Sequence, residues 1–390
     1  MKNAKSFVSK MYKFLFIVPD ARFDLAPCVQ RNLINTTTKP LNLIDRSYKQ
    51  YKMQMYLIGW KKHLILNIIS FFLLAPSIFT LLFIGLISKR KHHHSVQYLP
   101  IILGPTSKNK VPKEIDVLPN KIYYNSFSSI GQYLKFGDAK FIISLIISHP
   151  ISPFYILRIM LKVSAYRVLF DKHRPKEIVV NHEFSFDSSV MTLYCQMNGI
   201  KHINFMHGEK LFYIRDSFFY FDEIYVWDQH YANLFESLMA SCQHYKYFLP
   251  DEFYISNRTN EFDYIYYLAA ESKTEIEKIV ITMQQLKSKG KKVLLRAHPI
   301  WTNMNNLLYY SRIYGVEVEA ETISIQDSIG STKGVIGLFT TVLFQASLND
   351  ITCIIDDISN EDKFNSLRDM DYIMFSKDHI LLSDLVFNDR

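Results

Sequence analysis

KKVLLRAHPIW, Lys291 to Trp301, and GVIGLFTTVLF, Gly334 to Phe344, decide the fold. Each opens with a short apolar, β-rich run and breaks at once into polar text, Arg296-Ala297-His298-Pro299 in one and Thr340-Thr341 in the other. Runs this short, Val293 to Arg296 and Val335 to Leu338, read as buried strands. Pro299 stops the first and holds His298 in extended backbone at the sheet edge. After the second, Thr341 to Leu348 reads as a helix, whose hydroxyls and free N–H groups at the N-terminus suit an anion.

The same alternation extends in both directions. Tyr264 to Leu268 is a predicted strand, Thr274 to Lys289 a helix stopped by Gly290, Val316 to Glu319 a strand, and Thr352 to Ile355 the last clear strand. Upstream, Glu177 to Val180 is a strand, Ser188 to Asn198 a helix closed by Gly199, and Ile203 to Met206 and Glu223 to Val226 two more strands. Ser241 to Glu261, polar and aromatic, reads as a link between domains. The expectation is α/β throughout, with doubly wound parallel sheets in two domains, 1–255 and 256–390. Ligands on such sheets bind outside the carboxyl ends of the strands, so the polar residues there are the candidates.

Arg296 and His298 can hydrogen-bond a phosphate, and Thr340 and Thr341 can complete an anion pocket. In the first domain Asn204-Phe205-Met206-His207-Gly208-Glu209-Lys210 ends a strand, and a histidine of ordinary pKa can take a proton from a hydroxyl near neutral pH. His182-Glu183 ends another strand and offers a carboxylate as base or orienter, while Trp227-Asp228-Gln229 ends a third as candidate cleft residues. The plainer alternatives are a structural His-Pro, an N-capping Thr-Thr and a buried structural His207.

With 390 residues, 48% of them apolar, the chain is long enough for two cores, and a formal charge of +8 suggests a polyanionic neighbour. No zinc-finger, RNP or helix-turn-helix pattern accompanies the charge, so a nucleic-acid partner is not expected. Cys28, Cys195, Cys242 and Cys353 lie far apart without a CxxC pair, against a zinc site or disulfide framework. Twelve glycines provide no glycine-rich phosphate loop, against an ATPase or dehydrogenase. No cofactor or metal is expected; Asp369-Met370-Asp371 follows the last predicted strand and reads as a surface loop, with Asp356-Asp357 ending a strand at the cleft. The opening MKNAKSFVSKMYKFLFIVPDARF reads as a strand at Phe14 to Val18, not as a signal peptide.

Leu64 to Ile87 carries no charge and is long enough to cross a bilayer core of roughly 30 Å. Both flanks are basic, including Lys61-Lys62 before and Lys89-Arg90-Lys91 followed by His92 to His94 after, so charge sets no orientation. Pro76 favours a break into two short helices, a re-entrant or in-plane hairpin, with a fully buried helix pair as the alternative. Pro153 to Phe170 places Arg158, Lys162 and Tyr166 four apart, a polar stripe that reads either as an interfacial helix or as a core helix.

The ordered set of His-Gly, then LRAHP, then GLFTT resembles bacterial GT-B glycosyltransferases of capsule, lipopolysaccharide and teichoic acid synthesis, especially sialyltransferases and polysialyltransferases with a His-Pro motif and a later Ser/Thr motif. The resemblance spans roughly Glu177 to Asp357. It implies two Rossmann-like domains facing across a cleft, with a membrane-associating hydrophobic helical segment in the N-terminal, acceptor-side domain and donor binding in the C-terminal one. It further implies an inverting, metal-independent transfer from a CMP-sugar donor, CMP-sialic acid, with Arg296, His298, Pro299, Thr340 and Thr341 on the donor. The implied acceptor is a lipid-linked or growing O-antigen, capsule or lipooligosaccharide at the cytoplasmic face of the bacterial inner membrane, where the protein is peripheral or monotopic. Met206-His207-Gly208 departs from the acidic motif of sialyltransferases and resembles CDP-glycerol glycerophosphotransferases; CMP-Kdo transferases also share the His-Pro signature. His207, Glu183 and, third, Glu209 are the candidates for general base. A membrane-associated polysaccharide assembly protein is the non-enzyme alternative and leaves the histidines without a task.

Overall fold

The computed structural model describes residues 21–88, 100–103, 111–116, 121–124, 130–206 and 208–387. The expected strand Phe14 to Val18, the run His92 to His94 and His207 lie outside them. The chain forms two compact units, one of residues 1–207 and 213–248, the other of 208–212 and 249–390.

The first unit holds a six-stranded, all-parallel sheet made of β1 (Pro100–Leu103), β2 (Ile122–Tyr124), β3 (Glu177–Val180), β4 (Lys201–Phe205), β5 (Tyr220–Val226) and β6 (Ser241–Tyr247), in the order β2-β1-β3-β4-β5-β6. Strand order reverses between β1 and β3. β6 occupies the stretch expected to be a linker: SCQHYKY lacks an apolar face because the strand lies at the sheet edge, with no residue fully buried, and is held by its register with β5.

Helices α1 (Pro27–Thr36), α2 (Leu43–Ile58), α3 (Trp60–Ile87), the short α4 (Lys113–Asp116), α5 (Phe136–Ser148), α6 (Pro153–His173), α7 (Ser188–Met197) and α8 (Gln229–Ser237) complete the unit. α6 is the core helix of the two readings, and the interfacial one is corrected. Its stripe faces inward: Lys162 Nζ lies 3.6 Å from Asp187 Oδ1, Arg158 sits over the Phe186 ring, and the Tyr166 hydroxyl meets His202 at 3.1 Å. A polar stripe that finds partners inside reads in sequence like one that faces water. The opposite correction applies to α3. It continues through Pro76 as one helix rather than a hairpin, and it is not buried, since only Leu66, Ser70 and Leu81 along it are. Pro76 and Phe72, one turn earlier, both lie on the exposed face, where the chain has room to bend around the proline ring.

His202 on β4 is completely enclosed. Thr192 Oγ1 donates to the Tyr220 carbonyl at 2.7 Å and so accepts from His202 Nδ1 at 2.8 Å, while Tyr166 donates to Nε2. Neutral imidazole satisfies every partner, and burial together with nearby Lys162 pushes its pKa down to about 3. Because the folded pKa lies below the unfolded one, only the unfolded chain takes up this proton as pH falls below about 6.5, and stability is lost progressively toward pH 3. Between pH 6 and 4 the unfolding free energy is expected to fall by about 1.4 kcal/mol per unit more steeply than in His202→Gln. Equal slopes in urea titrations of the two proteins contradict this.

The second unit holds β7 (Phe262–Tyr267), β8 (Val293–Arg296), β9 (Thr332–Gly337), β10 (Thr352–Ile355) and β11 (Ile380–Leu381), all parallel, in the order β11-β10-β9-β7-β8. Val316 to Glu319, expected as a strand, makes one parallel bridge, Leu295 to Val318, with hydrogen bonds from Leu295 N to Glu317 O and from Glu319 N to Leu295 O. With that segment beyond β8, the order is that of a dinucleotide-fold sheet, reversing between β7 and β9. Helices α9 (Lys273–Ser288), α10 (Met304–Tyr314), α11 (Ile325–Gly330), α12 (Thr341–Leu348), α13 (Glu361–Asp369) and α14 (Leu382–Phe387) surround it. α9 begins at a reciprocal capping box between Ser272 and Glu275. One core joins Tyr266, Leu295 and Ile336 of the sheet to Ile279 and Met283 of α9.

Candidate functional site

In the second unit the carboxyl ends of β9, β7 and β8 lie side by side, and the loops after them carry Thr340, Ala269 and His298. Gly337 permits the turn out of β9, since a Cβ there would fall 2.9 Å from Thr340 Cγ2. Thr340 N-caps α12, its hydroxyl accepting from Val342 N at 3.3 Å, and Thr341 is the first helical residue. Leu343 N bonds the Thr340 carbonyl at 3.3 Å, and the positive end of the helix dipole at this turn attracts an anion.

The His-Pro loop is fastened to its neighbour. His298 N donates to Thr302 Oγ1 at 2.8 Å, and Thr302 donates onward to the Ala269 carbonyl at 2.9 Å. His298 Nδ1 accepts from Ile300 N at 3.1 Å and from Trp301 N at 3.3 Å. A ring nitrogen that accepts carries no proton, so the hydrogen of neutral His298 resides on Nε2, which is thereby a donor. Burial lowers the His298 pKa and keeps this neutral form at pH 7.

Arg296 is already engaged: its guanidinium pairs with Glu319 and donates to the Ile323 carbonyl at 2.8 Å. Pro299 is exposed in the loop. Asp356 and Asp357, expected to end a strand at a cleft, turn inward. Asp356 accepts from Tyr266 at 2.6 Å and from the N–H groups of Ile358 and Ser359, and Asp357 accepts from Ser383. Gly208 to Phe212 groups with this unit: Phe212 N donates to the Met370 carbonyl at 2.6 Å, and Tyr372, raised well above its ordinary pKa by burial and neighbouring Glu209, donates to the Thr340 carbonyl at 3.2 Å. Sequence reading missed Thr302 and Glu271. Glu271 accepts from Ala269 N at 2.6 Å, and burial raises its pKa. Only the capping box beside it was signalled by the residue pattern.

In the first unit the order reversal between β1 and β3 puts Asn181, His182 and Glu183 at the switch point. Asn204 of β4 fixes them, its Oδ1 accepting from His182 N at 2.8 Å and its Nδ2 donating to Glu183 Oε2 at 3.2 Å. Three residues of α2 hold the following loop: Gln50 donates to the Glu183 carbonyl at 3.0 Å, Gln54 to Phe184 at 2.8 Å and Ser47 to Phe186 at 2.6 Å. Glu183 is fully buried, so this carboxylate presents no surface to a substrate. Asp228 spends its carboxylate capping α8, accepting from His230 N at 2.8 Å, and Gln229 bonds Tyr247 and Asn233. A cavity of about 650 Å³, lined by Leu41, Arg46, Gln196, Tyr220 and Gln243, lies at the opposite, amino-terminal ends of β5 and β6.

Thr340→Ala removes the α12 cap and is expected to destabilise the protein by about 0.5–2 kcal/mol. Combined with Thr341→Ala it should weaken binding of a phosphate-bearing ligand; unchanged affinity for such a ligand removes this turn from the anion site.

No family model matches the chain, and no curated protein sequence does. Similar solved structures include UDP-N-acetylglucosamine 2-epimerase from Rickettsia bellii, 13% identical over 66% of this chain and 78% of that one, with a TM-score of 0.40. The wall teichoic acid polymerase TagF is 11% identical over 79% of this chain and 82% of that one, with a TM-score of 0.42. The lipopolysaccharide outer core galactosyltransferase WaaB is 13% identical over 66% and 80%, with a TM-score of 0.37. Likeness at this level leaves the chemistry to be read from the chain's own residues.

Proposed function

We propose that the chain is a GT-B type glycosyltransferase that moves a sugar from a cytidine-activated donor, CMP-sialic acid foremost, to a lipid-linked or growing bacterial surface glycan at the cytoplasmic face of the inner membrane. The observation that carries this reading is the set of donors at the ends of β8, β7 and β9: His298 Nε2–H on a loop tied to Ala269, and the N-terminus of α12 behind Thr340. These groups suit the negative charge that grows on a leaving phosphate. The second unit takes the donor and the first unit the acceptor.

In an inverting transfer the acceptor oxygen bonds to the sugar carbon, the bond to phosphate oxygen breaks, and CMP leaves with the bonding electrons. The acceptor proton passes to the base. His207 is the base in this account, and the burial of Glu183 supports a positioning part for that carboxylate. The His-Gly pair at 207–208 favours one second reading, a CDP-glycerol glycerophosphotransferase, in which the same His298 and α12 contacts receive the departing CMP.

Thermal unfolding with CMP, CDP, UDP and GDP tests the donor class. A ligand at a hundred times its Kd stabilises by about 2.7 kcal/mol. Cytidine nucleotides are expected to raise Tm by several degrees, and less so in His298→Ala; a shift with UDP alone removes the cytidine assignment, and no shift with any nucleotide removes the donor site.

A further inference from the structure

α3 meets the rest of its unit along one stripe from end to end: Leu66, Ser70 and Leu81 are buried, and Asn67, Leu74, Ile78 and Gly85 half-buried, at helical spacing. Both ends are pinned. Near the start, His63 Nε2 meets the Tyr51 hydroxyl of α2 at 2.7 Å, and Asn67 Oδ1 accepts from Phe154 N of α6 at 3.3 Å. Near the finish, Leu81 O accepts from Leu134 N at 3.1 Å, and at Gly85 a Cβ would fall 2.1 Å from the Leu134 carbonyl oxygen. Only glycine allows that approach. A helix docked in this way cannot cross a bilayer without drawing α6 and its half-buried charges, Lys162 and Arg167, into hydrocarbon, where charge is costly.

The remaining surface of α3 is open and apolar, with Ile65, Phe72, Phe79, Phe83 and Leu86 along one line and Thr80 the only exposed polar side chain between Leu64 and Ile87. Trp60, exposed with Lys61 over its ring, stands at the start as an interfacial anchor. Residues 46–113 contain eleven lysines and arginines and no aspartate or glutamate. A face with Thr80 as its single exposed polar side chain, set in a purely basic stretch, matches an anionic lipid surface, whereas a protein interface carries a polar, hydrogen-bonding rim.

We propose that α3 lies in the plane of an anionic membrane along its whole length, making the protein monotopic. The proposal rests on the membrane-associated part of the reading above and not on the transfer chemistry. Its exposed side chains enter the boundary between headgroups and acyl chains, and the packed stripe stays with the protein.

Full-length protein carrying a fluorophore on cysteine at position 65, 72, 79 or 86, in a Cys28→Ser background, is bound to phosphatidylglycerol-containing vesicles, and label depth is measured with lipid-borne quenchers. Ile65 and Leu86 are about 31 Å apart along the helix. In-plane binding predicts four equal depths, roughly 5–10 Å into the interface. Phe72→Ser with Phe79→Ser is expected to weaken vesicle binding on the order of tenfold or more, and Lys61→Glu with Lys62→Glu to weaken it only on anionic vesicles. Depths that pass through the bilayer centre overturn the proposal in favour of a span, and vesicle binding that is absent or insensitive to the serine pair overturns lipid as the occupant. Nucleotide-induced thermal shifts on the same samples report the donor site separately, so failure of either reading is recognisable.

Discussion

His298→Ala is expected to lower kcat by about 10²–10³ with the fold intact, the usual cost of losing one donor to a developing oxyanion. The direction follows from the tautomer. Two backbone N–H groups occupy Nδ1, so the ring can offer only Nε2–H outward, and it does so without needing a positive charge. His298→Gln places an amide N–H near the same position and should retain more activity than alanine. Because burial lowers the His298 pKa, its contribution should stay level from pH 8 down to the ordinary imidazole range. Below that range protonation of Nδ1 would oppose the N–H groups of Ile300 and Trp301 and loosen the loop. Near-wild-type turnover of the alanine variant removes His298 from the donor site.

The second large effect concerns the base. His207→Ala is expected to slow the reaction by roughly 10²–10⁴ and to flatten the acid limb of the kcat/KM profile. Glu183→Gln should behave differently. Fully buried and held by Asn204, this carboxylate is predicted to affect stability first, by on the order of 1–3 kcal/mol, with the acid limb retained. If His207→Ala keeps both the limb and the rate while Glu183→Gln abolishes turnover, the carboxylate is the base and the sialyltransferase resemblance gains over the glycerophosphotransferase one.

Where local pattern and tertiary role agree, the residues announce the structure. Val293 to Arg296, Thr341 to Leu348 and Thr352 to Ile355 stand where their apolar runs and stops place them. β6 was illegible because an edge strand with no fully buried residue needs no apolar face, and Val316 to Glu319 has a strand's composition but only one bridge's worth of neighbour. The stripe on α6 misleads for a different reason: Asp187 and His202, its buried partners, arrive from distant parts of the chain. The strand-end positions of Glu183, His298 and Thr340 were readable from the breaks in hydrophobic text. What each side chain does there was not, since the Nδ1 acceptor geometry of His298, the Arg296–Glu319 pair and the inward turn of Asp356 depend on loops that meet only in three dimensions.

Sugar or glycerophosphate transfer from a cytidine-activated donor is read out by nucleotide release. Purified protein with an acceptor-bearing membrane extract is offered CMP-sialic acid, CMP-Kdo, CDP-glycerol and UDP-sugars in turn. CMP release is expected from one cytidine donor, dependent on acceptor and reduced by His298→Ala; release from UDP-sugars alone, or from none of the four, rules out cytidine-donor transfer.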